Sequence, residues 1–174
     1  MVFFLCGFTE PTPERGVWVL VDTQELVLTV MNGTKPVEQF RNIAIGRGGV
    51  SYEKRRGDDR TPLGSFRIGW VNQNSSYRLF FGFNYPSLDI AKRGLISGII
   101  DVDTFNLLKQ ASENDQIPPQ NTPLGGQIGI HGIGSGDPRI HEAMNWTHGC
   151  VALTNVQVER LARWVTKGTL IIIR

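Results

Sequence analysis

The sequence has few of the residues that mark disulfide scaffolds and metal-rich domains. It contains two cysteines, Cys6 and Cys150, and three histidines in 174 residues. The two cysteines could pair in principle, but they do not form a disulfide framework, so cysteine usage leaves the redox compartment open. The net charge of +2 is too small to indicate a nucleic-acid partner.

Long apolar runs are also missing. No run approaches the roughly 18 residues that a membrane-spanning helix needs, so we expect no membrane-spanning segment. The first residues, MVFFLCGF, are apolar, but they carry no basic region and no small-residue cleavage site. Residues 1–16 are therefore either the remnant of an export signal or an ordinary first strand.

The remaining residues, 17–174, have the length of one domain. The sequence is 40% hydrophobic and 20% charged, with 20 glycines and 9 prolines, which is typical of a globular chain with many turns. It contains no repeat and no low-complexity segment. Strands dominate the predicted elements and two or three helices are inserted, so the predicted fold class is mostly β, or α+β.

An antiparallel meander opens the domain. Alternating apolar residues predict strands over 17–21 and 26–30, and Asn32-Gly33 is typical of the tight turn between two antiparallel strands. Residues 36–46 are predicted to return as a third strand.

Helices are predicted over 87–98, 101–114 and 154–168. The second helix has a partial apolar stripe made of Val102, Phe105, Leu107 and Leu108. The third can be capped by Thr154 or Asn155, and the residues expected to face the core are Val156, Val158, Leu161, Ala162 and Val165.

The stretch EKRRGDDR, residues 53–60, mixes basic and acidic side chains. Such a mixture is typical of a solvated loop. We therefore predict that residues 46–60 form a loop whose charged side chains are exposed.

Cys150 stands in the stretch NWTHGCVALT, directly after His148 and Gly149. A thiolate is a strong nucleophile, but a cysteine at neutral pH needs a base or cation nearby, most often a histidine. His131 lies 19 positions earlier and can reach Cys150 only if the loop 132–147 folds back. An activated Cys150 is expected to have a pKa below the ordinary value of about 8.5.

Other interpretations of these residues remain open. A cysteine is often a small buried side chain, and a histidine is often a satisfied core residue. A metal site could draw on His131, His141, His148 and Cys150, although their spacing does not match the compact ligand pairs of structural zinc sites.

Two motifs carry a family resemblance. The first is His131-Gly132, followed after a loop by Thr147-His148-Gly149-Cys150, and the second is GDDRTPLGSF at 57–66. They resemble the His-Gly, Ser/Thr-x-Gly-Cys and Gly-Asp-x-x-Thr-Pro-x-Gly-x-Phe elements of the YkuD-type L,D-transpeptidase catalytic domain. The first hairpin is similar as well, so the resemblance covers roughly residues 17–174. It is closest to the YafK-like subgroup, in which at least one lineage is associated with hydrolysis.

The resemblance implies a mixed β-sandwich with a few helices and a cysteine acyl-transfer enzyme of bacterial peptidoglycan. In such domains the cysteine attacks the carbonyl on the carboxyl side of a diaminopimelate residue, and an amine or water resolves the thioester. The resemblance makes Cys150 the nucleophile and His131 the general base, with the carbonyl of Gly132 orienting the ring. His148 is expected to tune the thiol or line the oxyanion site.

Substrate contacts are expected at Thr147, Gly149, Tyr85, Arg139 and Trp146, with Thr147 also fixing the turn and Trp146 the loop. Many family members have an arginine two residues after the cysteine, where it can hold a substrate carboxylate. This chain has Ala152 there. Candidates for a replacement are Arg139, Arg60 and Lys92.

The implied partners are peptidoglycan stem peptides, and the implied location is the periplasm or cell envelope. The resemblance implies no metal or other cofactor. Three functions remain open: an L,D-transpeptidase, a hydrolase of the same family that releases a peptide or lipoprotein from peptidoglycan, and a non-catalytic wall-binding module. Only the missing arginine at position 152 favours the third.

Overall fold

An eight-stranded mixed sheet forms the centre of the fold, with strand order β3-β2-β1-β10-β6-β7-β8-β9. The computed structural model describes residues 13–174, so Cys6 and the interpretation of the first twelve residues lie outside the described part. The strands are β1 (Val17–Asp22), β2 (Val27–Asn32), β3 (Lys35–Arg41), β4 (Val50–Ser51), β5 (Thr61–Pro62), β6 (Gly64–Asn72), β7 (Phe80–Phe83), β8 (Gly129–His131), β9 (Val151–Ala152) and β10 (Leu170–Ile173). The helices are α1 (Leu88–Ile96), α2 (Val102–Glu113), α3 (Pro138–Ala143) and α4 (Asn155–Leu161).

The predicted class, mostly β with a few helices, is confirmed. The opening meander is present as β1, β2 and β3, which pair antiparallel in sequence order. β10 then enters the middle of the sheet, parallel to β1 and antiparallel to β6. The short strands β4 and β5 form a separate two-stranded sheet.

The helix predictions are confirmed in position and corrected in detail. Ser87, Asp101 and Thr154 cap α1, α2 and α4 through their side-chain oxygens, as their residue types favour. α4 ends at Leu161, earlier than predicted, because turns replace the helix before Gly168.

The predicted apolar faces of two helices were partly wrong. In α4, Val158 and Leu161 are buried, but Val156 is 65% exposed and Ala162 is exposed as well. In α2 the buried residues are Leu108 and Ala111, whereas two of the predicted stripe residues, Val102 and Leu107, face solvent. Both helices therefore bury a narrower stripe than the apolar residues alone suggested.

The far end of the sheet positions the candidate site. β8 pairs antiparallel with β7 and parallel with β9, so His131 lies opposite Phe80 on one side and Ala152 on the other. Parallel neighbours need a long crossover, and the residues between β8 and β9, which include α3, provide it. None of the helices in residues 13–174 is long and apolar enough to cross a lipid bilayer.

Candidate active site

His131 and Cys150 line one cleft of about 440 Å³ at the β8–β9 end of the sheet. The loop 132–147 folds back, which meets the condition for His131 to reach Cys150, and Asn155 holds the amide and carbonyl of Gly134 with two hydrogen bonds of 2.9 and 2.8 Å. The other residues around the cleft are Trp70, Asn72, Asn74, Ser75, Ser76, Tyr77, Phe80, Gln127, Trp146, Thr147 and His148.

The imidazole of His131 is held in one orientation. It is 3% exposed and lies among aromatic rings, with centroids 4.4 Å from Tyr77, 6.1 Å from Phe80 and 5.8 Å from Trp146. Its Nδ1 is 2.7 Å from the carbonyl oxygen of Gly132. Because a carbonyl only accepts, Nδ1 carries the proton, and Nε2 keeps a free lone pair for a base.

A tight turn presents Cys150. The Thr147 hydroxyl donates to the carbonyl of Cys150 at 2.6 Å and accepts from the amide of Gly149 at 3.1 Å. Gly149 has a φ of +126°, and a Cβ there would lie 2.6 Å from the carbonyl oxygen of Arg60. Position 149 therefore requires glycine for both its backbone conformation and its space.

The thiol and the imidazole are both neutral in the resting site. Cys150 is a half-buried free thiol whose Sγ donates to the carbonyl of Gln127 at 3.3 Å, and burial raises its pKa to about 11. Burial also lowers the pKa of His131, and the nearby His141 acts in the same direction against the hydrogen bond to Gly132. Desolvation disfavours the thiolate until a proton acceptor takes its proton, so the thiol differs in the resting site from a preformed thiolate.

His148 occupies the exposed rim of the cleft. Its side chain is 76% exposed, and its Nδ1 lies 2.7 Å from Asp59 Oδ1. Asp59 Oδ2 in turn lies 2.6 Å from the Arg47 guanidinium. The hydrogen bonds from His148 and Arg47 lower the pKa of the Asp59 carboxyl. The motif GDDRTPLGSF contains both Asp58 and Asp59, but the sequence did not indicate which of the two would contact His148.

Comparison with known families decides the identity of the domain. The YkuD family, the L,D-transpeptidase catalytic domain, matches residues 16–173. The chain belongs to this family. L,D-transpeptidase domains act on peptidoglycan. A comparison with curated proteins gives no significant match.

Solved structures agree on the fold. The helical cell shape determining protein Pgp2 from Campylobacter jejuni matches with a TM-score of 0.61 and 23% identity, over 91% of this chain and 47% of that one. Bd1075 from Bdellovibrio bacteriovorus matches with a TM-score of 0.55 and 19% identity, over 92% and 48%. An L,D-transpeptidase from Xylanimonas cellulosilytica matches with a TM-score of 0.52 and 17% identity, over 95% and 64%. The chain thus spans about half the length of the Pgp2 and Bd1075 chains.

One YkuD-domain residue beside the site was missed by the sequence analysis. Lys54, within the stretch predicted to be a solvated loop, is 2% exposed, and its Nζ lies 2.7 Å from Asp58 Oδ1. Its Cε lies 3.2 Å from the position that a Cβ of Gly149 would take. Nothing in the sequence distinguished Lys54 from its exposed neighbours Arg55 and Arg56.

Three predicted substrate contacts, Tyr85, Arg139 and the buried Gly149, are not among the residues that line the cleft. Tyr85 is fully buried, and its hydroxyl donates to the carbonyl of Leu124 at 2.7 Å, so it is a core residue away from the cleft. Arg139 projects into solvent from α3 and pairs with Asp137 at 2.7 Å. Neither side chain lines the cleft that contains Cys150.

Trp146 and Thr147 do line the cleft. The indole Nε1 of Trp146 donates to His141 Nδ1 at 3.3 Å, which fixes the ring beside His131. Trp146 therefore contributes both to the loop and to the wall of the cleft.

Position 152 faces away from solvent. Ala152 is fully buried, and its backbone exchanges hydrogen bonds of 3.0 and 2.7 Å with Ala44. In the part of the chain that the structure describes, no lysine, arginine, aspartate or glutamate lines the Cys150 cleft. The proposed replacements Arg60 and Lys92 are outside it too, and Lys92 lies 3.6 Å from Asp89 on α1.

A metal site was the remaining alternative for these residues. Within residues 13–174, no group of three or more histidine, cysteine, aspartate or glutamate side chains is arranged to hold a metal ion. The nearest neighbours of His131 are aromatic rings, and Asp59 is the partner of His148.

Proposed function

We propose that this domain is a cysteine acyltransferase that acts on peptidoglycan stem peptides, with Cys150 as the nucleophile. The observation that carries the proposal is the shared cleft of Cys150 and a buried His131 whose Nδ1 is occupied by Gly132. Membership of the YkuD family supplies the substrate class.

The reaction begins from the neutral pair. His131 Nε2 takes the proton of the Cys150 thiol as Sγ attacks the carbonyl on the carboxyl side of a diaminopimelate residue. The C–N bond of the tetrahedral intermediate then breaks, and the protonated His131 gives the proton to the leaving amine. A thioester on Cys150 remains, and the next nucleophile resolves it by the same steps in reverse order.

The surrounding backbone supports both steps. The Gly132 carbonyl stabilises the imidazolium that forms on His131, in the way that the acid of a catalytic triad does. The amide of Gly149 already donates to Thr147, so we assign the oxyanion to the amide of Cys150. His148 stands at the rim, where its Nε2 can contact substrate.

The nucleophile that resolves the thioester sets the reaction type. A second stem-peptide amine gives transpeptidation, whereas water gives the hydrolysis associated with the YafK-like subgroup. Either reaction places the protein in the periplasm or cell envelope, because the substrate is there.

Intact-protein mass spectrometry tests the proposal. The protein is incubated with a synthetic stem tetrapeptide containing meso-diaminopimelate, with and without an acceptor stem peptide. We expect a mass increase on the wild type that hydroxylamine removes, and a cross-linked product when transfer is the reaction.

Cys150→Ala should show no adduct and no product, while its melting temperature stays close to that of the wild type. An adduct on Cys150→Ala, or none on a folded wild type with any donor, would contradict the proposal.

A further inference from the structure

A second cleft, of about 300 Å³, adjoins the Cys150 cleft. The two clefts share His148, which lines both. The other residues that matter here are Lys54, Arg56 and Asp59 from the 54–60 loop, and Gln120, Gly125 and Gly126 from the 120–127 loop. No step of the proposed reaction uses this second cleft.

The walls of this cleft are held together by defined contacts. The amide of Arg56 donates to the carbonyl of Pro123 at 2.8 Å, which joins the 54–60 loop to the 120–127 loop. The amide of Gln127 donates to Gln120 Oε1 at 2.7 Å. A Cβ on Gly126 would lie 2.0 Å from the carbonyl oxygen of Gln120, so only glycine fits there. The cleft is therefore a formed feature of the fold.

Each charged side chain that lines the second cleft has a partner of opposite charge, except one. Lys54 is paired with Asp58, and Asp59 is shared between Arg47 and His148. The guanidinium of Arg56 donates to the neutral side-chain oxygen of Asn121 and, within residues 13–174, meets no carboxylate. Arg56 thus brings a fixed positive charge to a cleft that shares His148 with the Cys150 cleft.

The Cys150 cleft, unlike the second cleft, has no basic side chain with a fixed charge among its described lining residues. Its ionisable side chains, among the described residues, are His131, His148, the phenol of Tyr77 and the thiol itself, and it has no lysine or arginine. A stem peptide that ends in a diaminopimelate-containing tetrapeptide carries carboxylates close to the bond that is cut. Neutral asparagine and serine side chains can hydrogen-bond such a group, but they do not balance its charge.

We propose that the second cleft binds a substrate carboxylate, with Arg56 as the cation that holds it and His148 between it and the reacting carbonyl. The proposal rests on the proposed function for the identity of the substrate. Arginine suits this task because its planar guanidinium can make two parallel hydrogen bonds to a carboxylate. Arg56 would then hold the substrate carboxylate, which the buried Ala152 cannot do.

The test uses Arg56→Gln with Arg55→Gln as its matched control. Both substitutions remove one exposed positive charge from the same loop, but only Arg56 lines the cleft. Arg56→Gln should raise KM for the stem tetrapeptide about tenfold, as expected for loss of one charge-assisted contact, with little change in kcat. Arg55→Gln should match the wild type.

The source of the carboxylate is found with two modified donors. One donor has its C-terminal carboxylate amidated and the other has its free diaminopimelate carboxylate amidated. The donor that lacks the bound carboxylate should react equally with the wild type and with Arg56→Gln. The unmodified donor and the other amidated donor should retain the tenfold difference.

Binding to Cys150→Ala separates this proposal from the chemistry. Calorimetry should show that adding Arg56→Gln weakens stem-peptide binding to Cys150→Ala about tenfold, whether or not the wild type forms a thioester. Equal behaviour of Arg56→Gln and Arg55→Gln would overturn the second-cleft proposal and leave the proposed function standing. A failure of any stem peptide to bind would overturn the second-cleft proposal as well.

Discussion

Lys54 lies behind the turn that presents Cys150, with its Cε 3.2 Å from the place where a Cβ of Gly149 would stand. Its ammonium is paired with Asp58 at 2.7 Å. The charge of Lys54 lowers the pKa of the thiol and so opposes part of the increase that burial causes. Lys54 thus packs against the turn and also acts electrostatically on the Cys150 thiol.

Replacing Lys54 should therefore affect both reactivity and stability. Lys54→Met keeps the aliphatic stem but removes the charge, so the thiol pKa should rise and alkylation by iodoacetamide at pH 8 should slow severalfold. Unfolding free energy should fall by about 3 kcal/mol, because Asp58 would lose its buried partner. Lys92→Met, which disrupts an exposed pair with Asp89, is the control and should change neither measurement appreciably. If iodoacetamide alkylated Lys54→Met at the wild-type rate, the electrostatic role of Lys54 would be contradicted.

The neutral thiol–imidazole pair predicts a particular pH profile. With a thiol pKa raised to about 11, the alkylation rate should keep increasing from pH 7 to pH 10, by roughly tenfold per unit, without a plateau. The measurement is the second-order rate constant for iodoacetamide at a series of pH values. A plateau below pH 8 would indicate a preformed thiolate–imidazolium pair and would refute the neutral resting state.

Acid stability should depend on His131. Burial lowers its folded-state pKa, so below the unfolded-state value of about 6.5 the unfolded chain binds a proton that the folded chain does not. The stability that the neutral, buried His131 contributes is therefore fully present above about pH 6.5 and is lost as the pH falls through the lowered folded-state pKa. His131→Gln should reduce the decrease in melting temperature between pH 6.5 and pH 5. Burial also lowers the pKa of His141, so His141→Gln should reduce the same decrease in melting temperature by a separate amount. An unchanged slope in both variants would refute this assignment.

Gly149 should be intolerant of a side chain. Gly149→Ala adds a Cβ that would meet the carbonyl of Arg60, so the turn must shift and thioester formation should fall by at least about 100-fold. Gly168→Ala is the matched control, because Gly168 also has a positive φ, +90°, but has open space around it. Both variants should lose about 1 kcal/mol from backbone strain, and only Gly149→Ala should lose acylation. Equal activity of the two variants would show that the turn can move freely.

The sequence predicted where strands and helices lie better than it predicted which side of each helix is buried. The apolar alternation in β1 and β2 and the capping residue Thr154 each act locally, so they were visible in the sequence. Which side of α4 is buried depends on how the helix packs on the sheet, and this leaves Val156 exposed despite its apolar side chain. Tertiary packing, which no local pattern encodes, decided that difference.

The candidate site was predictable where a motif carried it. His131, Gly132 and the Thr147–Cys150 turn come together, and the contacts between them follow from their residue types. The environment of these residues was not predictable, because burial of the thiol and of Lys54 depends on segments distant in the sequence.

The central position of β10 has a consequence for how the chain reaches its folded state. Val19 of β1 pairs with Ile171 of β10, so the middle of the sheet closes only when segments from opposite ends of the domain meet. Contacts of such long sequence separation form slowly. Until then β1 and β6 each present an unpaired edge, the kind of surface on which chains aggregate. During synthesis the centre of the sheet therefore cannot be completed until residues 170–173 are available, and weakening β10 should reduce the yield of folded protein before it alters the reactivity of Cys150.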